Sequence, residues 1–325
     1  MPETLKTQVY YLIRRAFNQE RRAELKRWFA ANRKRFAWYY TTVHGRFTAK
    51  ELVADIASRI RGDFDILMVH SAFERLLPMC SSSPLELVNE LAAFCGPKRT
   101  LAMPAFILGG RYYDPIEHYR HNSFDVRKTV AETGLITEVF RRRAGVKRSL
   151  HPTHSVCALG PLADELTATH HLATTRAGKL TPFDYMAGKR TVVLGLGLEF
   201  FRCLTQAHSV EDLLGDEFPI AFERRSVQVE MTDAHGNKVP YLLTLPKYAQ
   251  AAHAVVLRSL LTRDELIEWR FRGAILWLTF ANRVTEVLLE AAPRGITFFG
   301  KVKVPRPPAA SAPALAVSPG RESGC

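Results

Sequence analysis

Short apolar strands and amphipathic helices alternate from residue 48 onward, and this alternation most limits what the chain can become. Thr48–Glu51 has the form of a capping box and opens a helix through Ile60. Asp65–Ser71 follows as a buried strand. Ser83-Pro84 with Glu86 forms a second capping box with proline in the first turn, predicting a helix over Leu85–Phe94 that Gly96-Pro97 ends. Thr100–Phe106 is the next strand, and its Pro104 marks an edge, a bulge or a strand end. A helix over Thr133–Arg143, a strand over Thr153–Leu159, a short helix near Pro161–Thr169, a strand over Thr191–Gly197 and a helix over Thr205–Leu214 continue the series. Repeated units of this kind predict an α/β fold: a mainly parallel central sheet with helices on both faces. Ligands of such sheets bind at the carboxyl ends of the strands.

The flanks read differently. Residues 107–131 look like a long irregular loop. Ser226–Met231 and Tyr241–Leu245 flank Asp233–Asn237 and predict a C-terminal hairpin. A helix-rich region is expected from about Thr262 to Ala292. Three segments result: a basic aromatic helical extension over 1–47, a catalytic-sized domain over 48–300, and a Pro/Ala/Ser-rich tail over 301–325 expected to be disordered.

Charge and cysteine content bound the function classes. The net charge is +13, and the first fifty residues hold twelve Lys and Arg against three Glu, interleaved with aromatics such as Trp28, Trp38 and Tyr39. Three readings of that extension stay open: a solvated face of a packed helix, contact with an anionic membrane surface, and, least favoured, nucleic-acid binding. No apolar run reaches membrane-spanning length, and no signal peptide is expected. Five widely spaced cysteines without a CxxC pair suit reduced thiols. The expected location is the cytoplasm, with peripheral contact at the inner membrane face left open.

One segment concentrates chemistry: Arg148-Ser149-Leu150-His151-Pro152-Thr153-His154-Ser155. Pro152 fixes its own φ and pushes His151 toward extended backbone, so the segment is a rigid turn feeding a strand. Such a turn can hold an imidazole in place for proton transfer, or it can be a surface turn without chemistry. His208 and Glu211 lie three apart on a predicted helix and share a face. Small residues around Val69–Phe73 permit close approach to a ligand. Gly195-Leu196-Gly197 lacks the third glycine of a dinucleotide fingerprint. No G-x-S-x-G elbow appears. His118/His121 and His151/His154 have metal-like spacing but no surrounding ligand cluster, so no metal is expected. Strand alternation puts Cys157 on the face opposite His154, as a buried thiol rather than a nucleophile.

With these residues in view, the chain resembles the aminoglycoside 3-N-acetyltransferase family, which is distinct from the GCN5-related acetyltransferases. The resemblance runs over roughly residues 50–295. It rests on Val69–Phe73, Gly96–Phe106, Phe124–Arg127, Gly134–Glu138, Phe140–Arg143, Arg148–Ser155, Thr181–Phe183, Val193–Gly197 and Thr205–Glu211, in that order. It implies acetyl-CoA-dependent transfer to an amino group of an aminoglycoside or amino sugar. It also implies His154 as general base, with His208 and Glu211 as a polar pair near it. Ser71, Ala72, Phe73, Thr181, Pro182 and Phe183 match positions lining a coenzyme A channel, and His151 and Asp125 are carried over as acceptor-side residues. The chain departs from the family pattern at Val130–Thr133 and between Gly197 and Thr205, so the acceptor side can differ. Acceptors of surface-polysaccharide or nucleotide-sugar synthesis, and an inactive relative that binds coenzyme A or a partner, are the alternatives.

Overall fold

The computed structural model describes Trp28 and residues 35–200, 204–247 and 254–302. The described strands are β1 Ile66–Ser71, β2 Thr100–Pro104, β3 Phe124–Asp125, β4 Lys147–Arg148, β5 Val156–Leu159, β6 Thr191–Leu196, β7 Glu223–Thr232, β8 Lys238–Lys247, β9 Leu266–Phe271 and β10 Ala274–Phe280, followed by a small ribbon of Ile296–Thr297 with Gly300–Lys301. Seven form the central sheet in the order β4-β5-β2-β1-β6-β10-β9. The core β2-β1-β6 is parallel, and both flanks are antiparallel.

The period of two in each strand explains why helices cover both faces. Leu67, Val69, Leu101, Met103, Cys157, Leu194 and Leu276 enter one core with the helices Ala49–Arg59, Pro84–Cys95 and Leu135–Arg141. Ile66, Met68, Ala102, Val156, Ala158, Val193 and Trp277 enter the other with Ala163–Ala168, Pro182–Ala187 and Ala281–Ala291. The two capping boxes form as expected: Thr48 and Ser83 each accept the N–H three residues on, and Glu51 and Glu86 reach back. Pro104 is the last residue of β2, which lies inside the sheet.

Three expectations need correction. The stretch from Thr262 to Ala292 is helical only over Ala281–Ala291, because β9 and β10 occupy 266–280. Their turn, Arg272-Gly273, takes φ of 42° and 80°, as a two-residue hairpin joining right-twisted strands requires. Ile267, Trp269 and Phe271 are half-buried while Glu268 and Arg270 between them are exposed, the period of two that marks a strand. Residues 107–131 are not one loop. Asp114 caps a short helix Pro115–Tyr119, and β3 joins the hairpin β7-β8 in a three-stranded sheet. Thr153–Ser155 belong to a turn, and the strand starts at Val156.

Of the N-terminal extension, Ala37–His44 is helical with no fully buried residue, and Trp38 is exposed. Residues 303–325, which hold nearly all of the expected tail, lie outside the described residues, as does most of the extension. No helix among the described residues is long and apolar enough to cross a membrane.

Candidate active site

The order β2-β1-β6 reverses direction of travel at β1: the chain passes to one side for β2 and to the other for β6. A crevice opens outside the carboxyl ends of strands at such a point. Here it is a cleft of about 490 Å³. His70 and Ser71 end β1, Pro104 ends β2, and Leu198 follows β6; all four line it, with Phe106, Glu74, Glu132, Thr133, His154, Arg176, Thr205, His208 and Phe298.

The His-Pro segment is the seven-residue turn between β4 and β5. Its backbone is pinned from many sides. Ala105 N–H donates to Ser155 O at 2.8 Å and Ile107 N–H to Thr153 O at 2.9 Å. Arg148 donates to Ser155 Oγ, Thr129 O and Ala105 O, and its guanidinium lies over Phe124. Tyr119 Oη donates to Pro152 O at 2.6 Å. His151 is fully buried, stacked on His170 at 4.3 Å and edge-on to Tyr241. His154 is the member of the turn that lines the cleft. Its ring packs on Phe106 at 4.9 Å, and its Nδ1 lies 2.9 Å from Thr153 Oγ1. Burial, with Arg176 and His208 nearby, holds the His154 pKa well below the ordinary histidine value, so the ring is neutral.

His208 closes the short helical turn Thr205–His208, and Glu211 lies in the helix Ser209–Leu214. The expected shared face is realised across this junction: His208 Nδ1 is 3.0 Å from Glu211 Oε1. A carboxylate at Nδ1 makes that nitrogen the proton carrier, so Nε2 holds the lone pair. Glu211 is buried, and the same Oε1 accepts from Arg176, whose Nε is 3.8 Å from Asp212 Oδ2. Burial raises the Asp212 pKa against the pull of Arg176.

The other expected residues are distributed as follows. Ser71 lines the cleft, and its Oγ is buried without a hydrogen-bond partner among the described residues. Ala72 donates its N–H to Leu196 O, and Phe73 packs into the core. Thr181 caps the helix Pro182–Ala187 by accepting from Asp184 N–H, with Pro182 and Phe183 buried beneath. Asp125 accepts the N–H groups of Arg127 and Lys128 in a turn at β3. His151, Asp125, Ala72, Phe73, Thr181, Pro182 and Phe183 are not among the cleft's lining residues. Cys157 is fully buried and its thiol pKa is pushed up to about 12.

Arg176, Glu74 and Glu132 enter the site without having been singled out. Arg176 sits in an irregular segment where neither period nor motif marks it. Glu132 had a signal, since it falls in Val130–Thr133, where the chain departs from the family pattern. Its Oε2 accepts from Leu108 N–H at 2.6 Å and Gly110 N–H at 3.3 Å, and Thr133 Oγ1 donates to Pro104 O.

The sequence pattern of the family described as aminoglycoside 3-N-acetyltransferase matches residues 68–288. Aminoglycoside N(3)-acetyltransferase VII of Streptomyces paromomycinus is 27% identical over 190 residues, 54% of this chain and 64% of that protein. Aminoglycoside N(3)-acetyltransferase IV of Salmonella sp is 32% identical over 102 residues, 31% of this chain and 35% of that one. The chain thus spans about a third to two thirds of these curated relatives. Among solved structures, aminoglycoside acetyltransferase AAC(3)-Xa superposes with a TM-score of 0.67 at 22% identity, covering 83% of this chain and 100% of that one. AAC-IIIb in binary complex with CoASH gives 0.62 at 23% identity, covering 79% and 99%. AAC-VIa bound to sisomicin gives 0.62 at 19%, covering 75% and 97%. These likenesses establish the fold.

Proposed function

The chain belongs to the aminoglycoside 3-N-acetyltransferase family, and from that premise we propose that it transfers an acetyl group from acetyl-CoA to an amino group of an aminoglycoside or related amino sugar. The observation that carries the reading is the His208–Glu211 pair at the wall of a cleft that opens at the ends of the parallel strands. The CoASH and sisomicin complexes of solved neighbours support the two substrate classes.

An alkylammonium must lose a proton before its nitrogen can attack. His208 Nε2 is the acceptor nitrogen that the Glu211 contact leaves, and Glu211 stabilises the imidazolium once the proton arrives. The resemblance named His154 as base. Among the described residues His154 has no carboxylate partner, and its surroundings oppose protonation. We therefore place the base at His208 and give His154 the role of a neutral hydrogen-bonding group toward the acceptor. The reading with His154 as base retains one supporting observation, its place in the same cleft.

Bound acetyl-CoA would bring an acyl group already activated as a thioester, so no residue here need form a covalent acyl-enzyme. The cleft floor suits an uncharged polar chain: Ser71 Oγ is an orphaned buried hydroxyl, and burial lowers the His70 pKa to about 4, keeping it neutral. Glu74 and Glu132 at the cleft supply negative charge for a cationic amine, although the whole chain is basic.

Thiol release measured with a panel of aminoglycosides and UDP-amino sugars tests the substrate class. His208→Ala and His154→Ala in the same assay separate the two bases. A His208→Ala enzyme with unchanged turnover would return the role to His154, and no release with any amine would remove the acyltransferase reading.

A further inference from the structure

His151 presents a different geometry from the two cleft histidines. It is fully buried, and its Nδ1 lies 3.2 Å from the backbone N of Thr153 and 3.0 Å from the backbone N of His154. Backbone N–H groups only donate, so Nδ1 must carry a lone pair and Nε2 the proton. Nε2 is buried without a partner among the described residues. A buried donor left unpaired opposes folding, so the favourable backbone contacts of this ring are those made through Nδ1.

What Nδ1 does is take the place of an Asx side chain. Asn and Asp accept backbone N–H groups two and three residues ahead and thereby set a turn. His151 makes the same pair of contacts with an imidazole, across Pro152, and one of the two N–H groups belongs to His154 itself. The other face of the ring is clamped by His170, whose Nδ1 meets Ser149 Oγ at 2.9 Å and whose Nε2 meets Arg176 O at 3.3 Å. Tyr241 closes the edge and donates to Ala173 O. The ring therefore has one seat, and the His154 backbone hangs from it.

We propose that His151 is a positioning residue: by accepting the N–H groups of Thr153 and His154, it fixes the direction in which the His154 ring enters the cleft. The sequence leaves it either shaping the turn or holding the acceptor. Full burial, and its absence from the cleft lining, assign it to this indirect role. The kinetic part of the test rests on the acyltransferase reading, and the spectroscopic part does not.

Two variants of the full chain decide it. His151→Asn keeps an acceptor oxygen for the same two N–H groups and is expected to keep kcat near wild type. His151→Phe keeps the ring stack and removes the acceptor. It is expected to lower kcat by about 10²-fold through misplacement of His154, with KM for acetyl-CoA unchanged. A merely structural ring would give the opposite ranking, because Phe conserves the packing better than Asn. Nitrogen-15 spectra of histidine-labelled wild type give the second readout, independent of any variant's folding: an unprotonated Nδ1 and protonated Nε2 at His151 at neutral pH. A folded Phe variant with wild-type kcat, or a protonated Nδ1 at His151, overturns the proposal. If the wild type acetylates no amine, the acyltransferase reading fails and the spectrum alone judges His151.

Discussion

Glu211 Oε1 stands 3.0 Å from His208 Nδ1 and at the same time receives the buried guanidinium of Arg176. One carboxylate oxygen thus serves a structural cation and a proposed catalytic imidazole. This couples stability to turnover, and Glu211→Gln should disturb both. Loss of the charge that supports imidazolium formation is expected to lower kcat by about 10²–10⁴-fold. Arg176 then loses its nearest carboxylate and keeps the more distant Asp212, and breaking such a buried pair costs about 3–5 kcal/mol. Steady-state thiol release and urea denaturation of one preparation measure the two effects. A variant that loses activity at full stability would show that Arg176 does not depend on Glu211.

Acid should weaken the fold early. Burial holds His70 at about 4 and His170 at about 3, and keeps His151 well below the ordinary value, so all three are neutral when folded. In the unfolded chain each takes a proton near pH 6.5. Below that pH the unfolded state binds more protons, so stability falls as pH falls, by about 1.4 kcal/mol per pH unit for each histidine. The loss begins near pH 6.5 and continues toward the folded-state values. Asp212 works the other way, because its raised carboxyl pKa favours the fold on acidification, but it is one group against several histidines, His154 among them. Urea midpoints should therefore change little near pH 7.5 and drop progressively from about pH 6.5 to 5, and a flat profile would contradict the burial of these rings.

Cys157 sits two residues past Ser155 in the same hairpin, yet it has no path to the chemistry. Its side chain enters the core on the opposite face of the sheet from Val156, and its thiol pKa is about 12. The thiolate needed for nucleophilic attack is absent at neutral pH. Cys157→Ala should leave kcat within about twofold while costing about 1 kcal/mol through the small cavity it leaves. Native protein should also resist alkylation at this position, as followed by mass spectrometry of the peptide. A large fall in kcat with intact stability would give this thiol a role that its burial denies.

How much of this was legible in the sequence depended on the range of the interaction. Thr48, Ser83 and Pro84 announced their helices because capping is decided within four residues, and the apolar runs of β1 and β6 marked strands buried on both faces. Leu266–Phe280 reads as helical because the five apolar residues Ala274–Leu278 do not by themselves distinguish strand from helix. The Arg272-Gly273 turn is the cue that separates the two. His208–Glu211 was visible as a pair three residues apart. Arg176 was not, since its pairing with Glu211 spans 35 residues and follows no period. The orientation of His151 was also hidden. Its role depends on which nitrogen faces which N–H, and sequence spacing does not fix that.

Gly195 gives the sharpest packing test. It lies on β6 opposite Trp277 of β10, and a Cβ placed there would come within 2.1 Å of the indole. Trp277 is fully buried, touches Phe200 and lies 6.4 Å from the ring of His70 on the cleft floor. Glycine is thus required so that the indole can pack directly against the strand. Its neighbour Gly197 has φ of 71° and would bring a Cβ within 2.7 Å of Ala72 O, which also makes it a packing glycine. Gly195→Ala must push the indole toward His70 or bend β6. Overpacking of this kind costs about 1–3 kcal/mol. Tryptophan fluorescence should shift, and the urea midpoint should fall. Gly195→Ala combined with Trp277→Phe should recover part of the loss, because the smaller ring frees the space. If the double variant is no more stable than Gly195→Ala alone, the indole is not what demands glycine at this position.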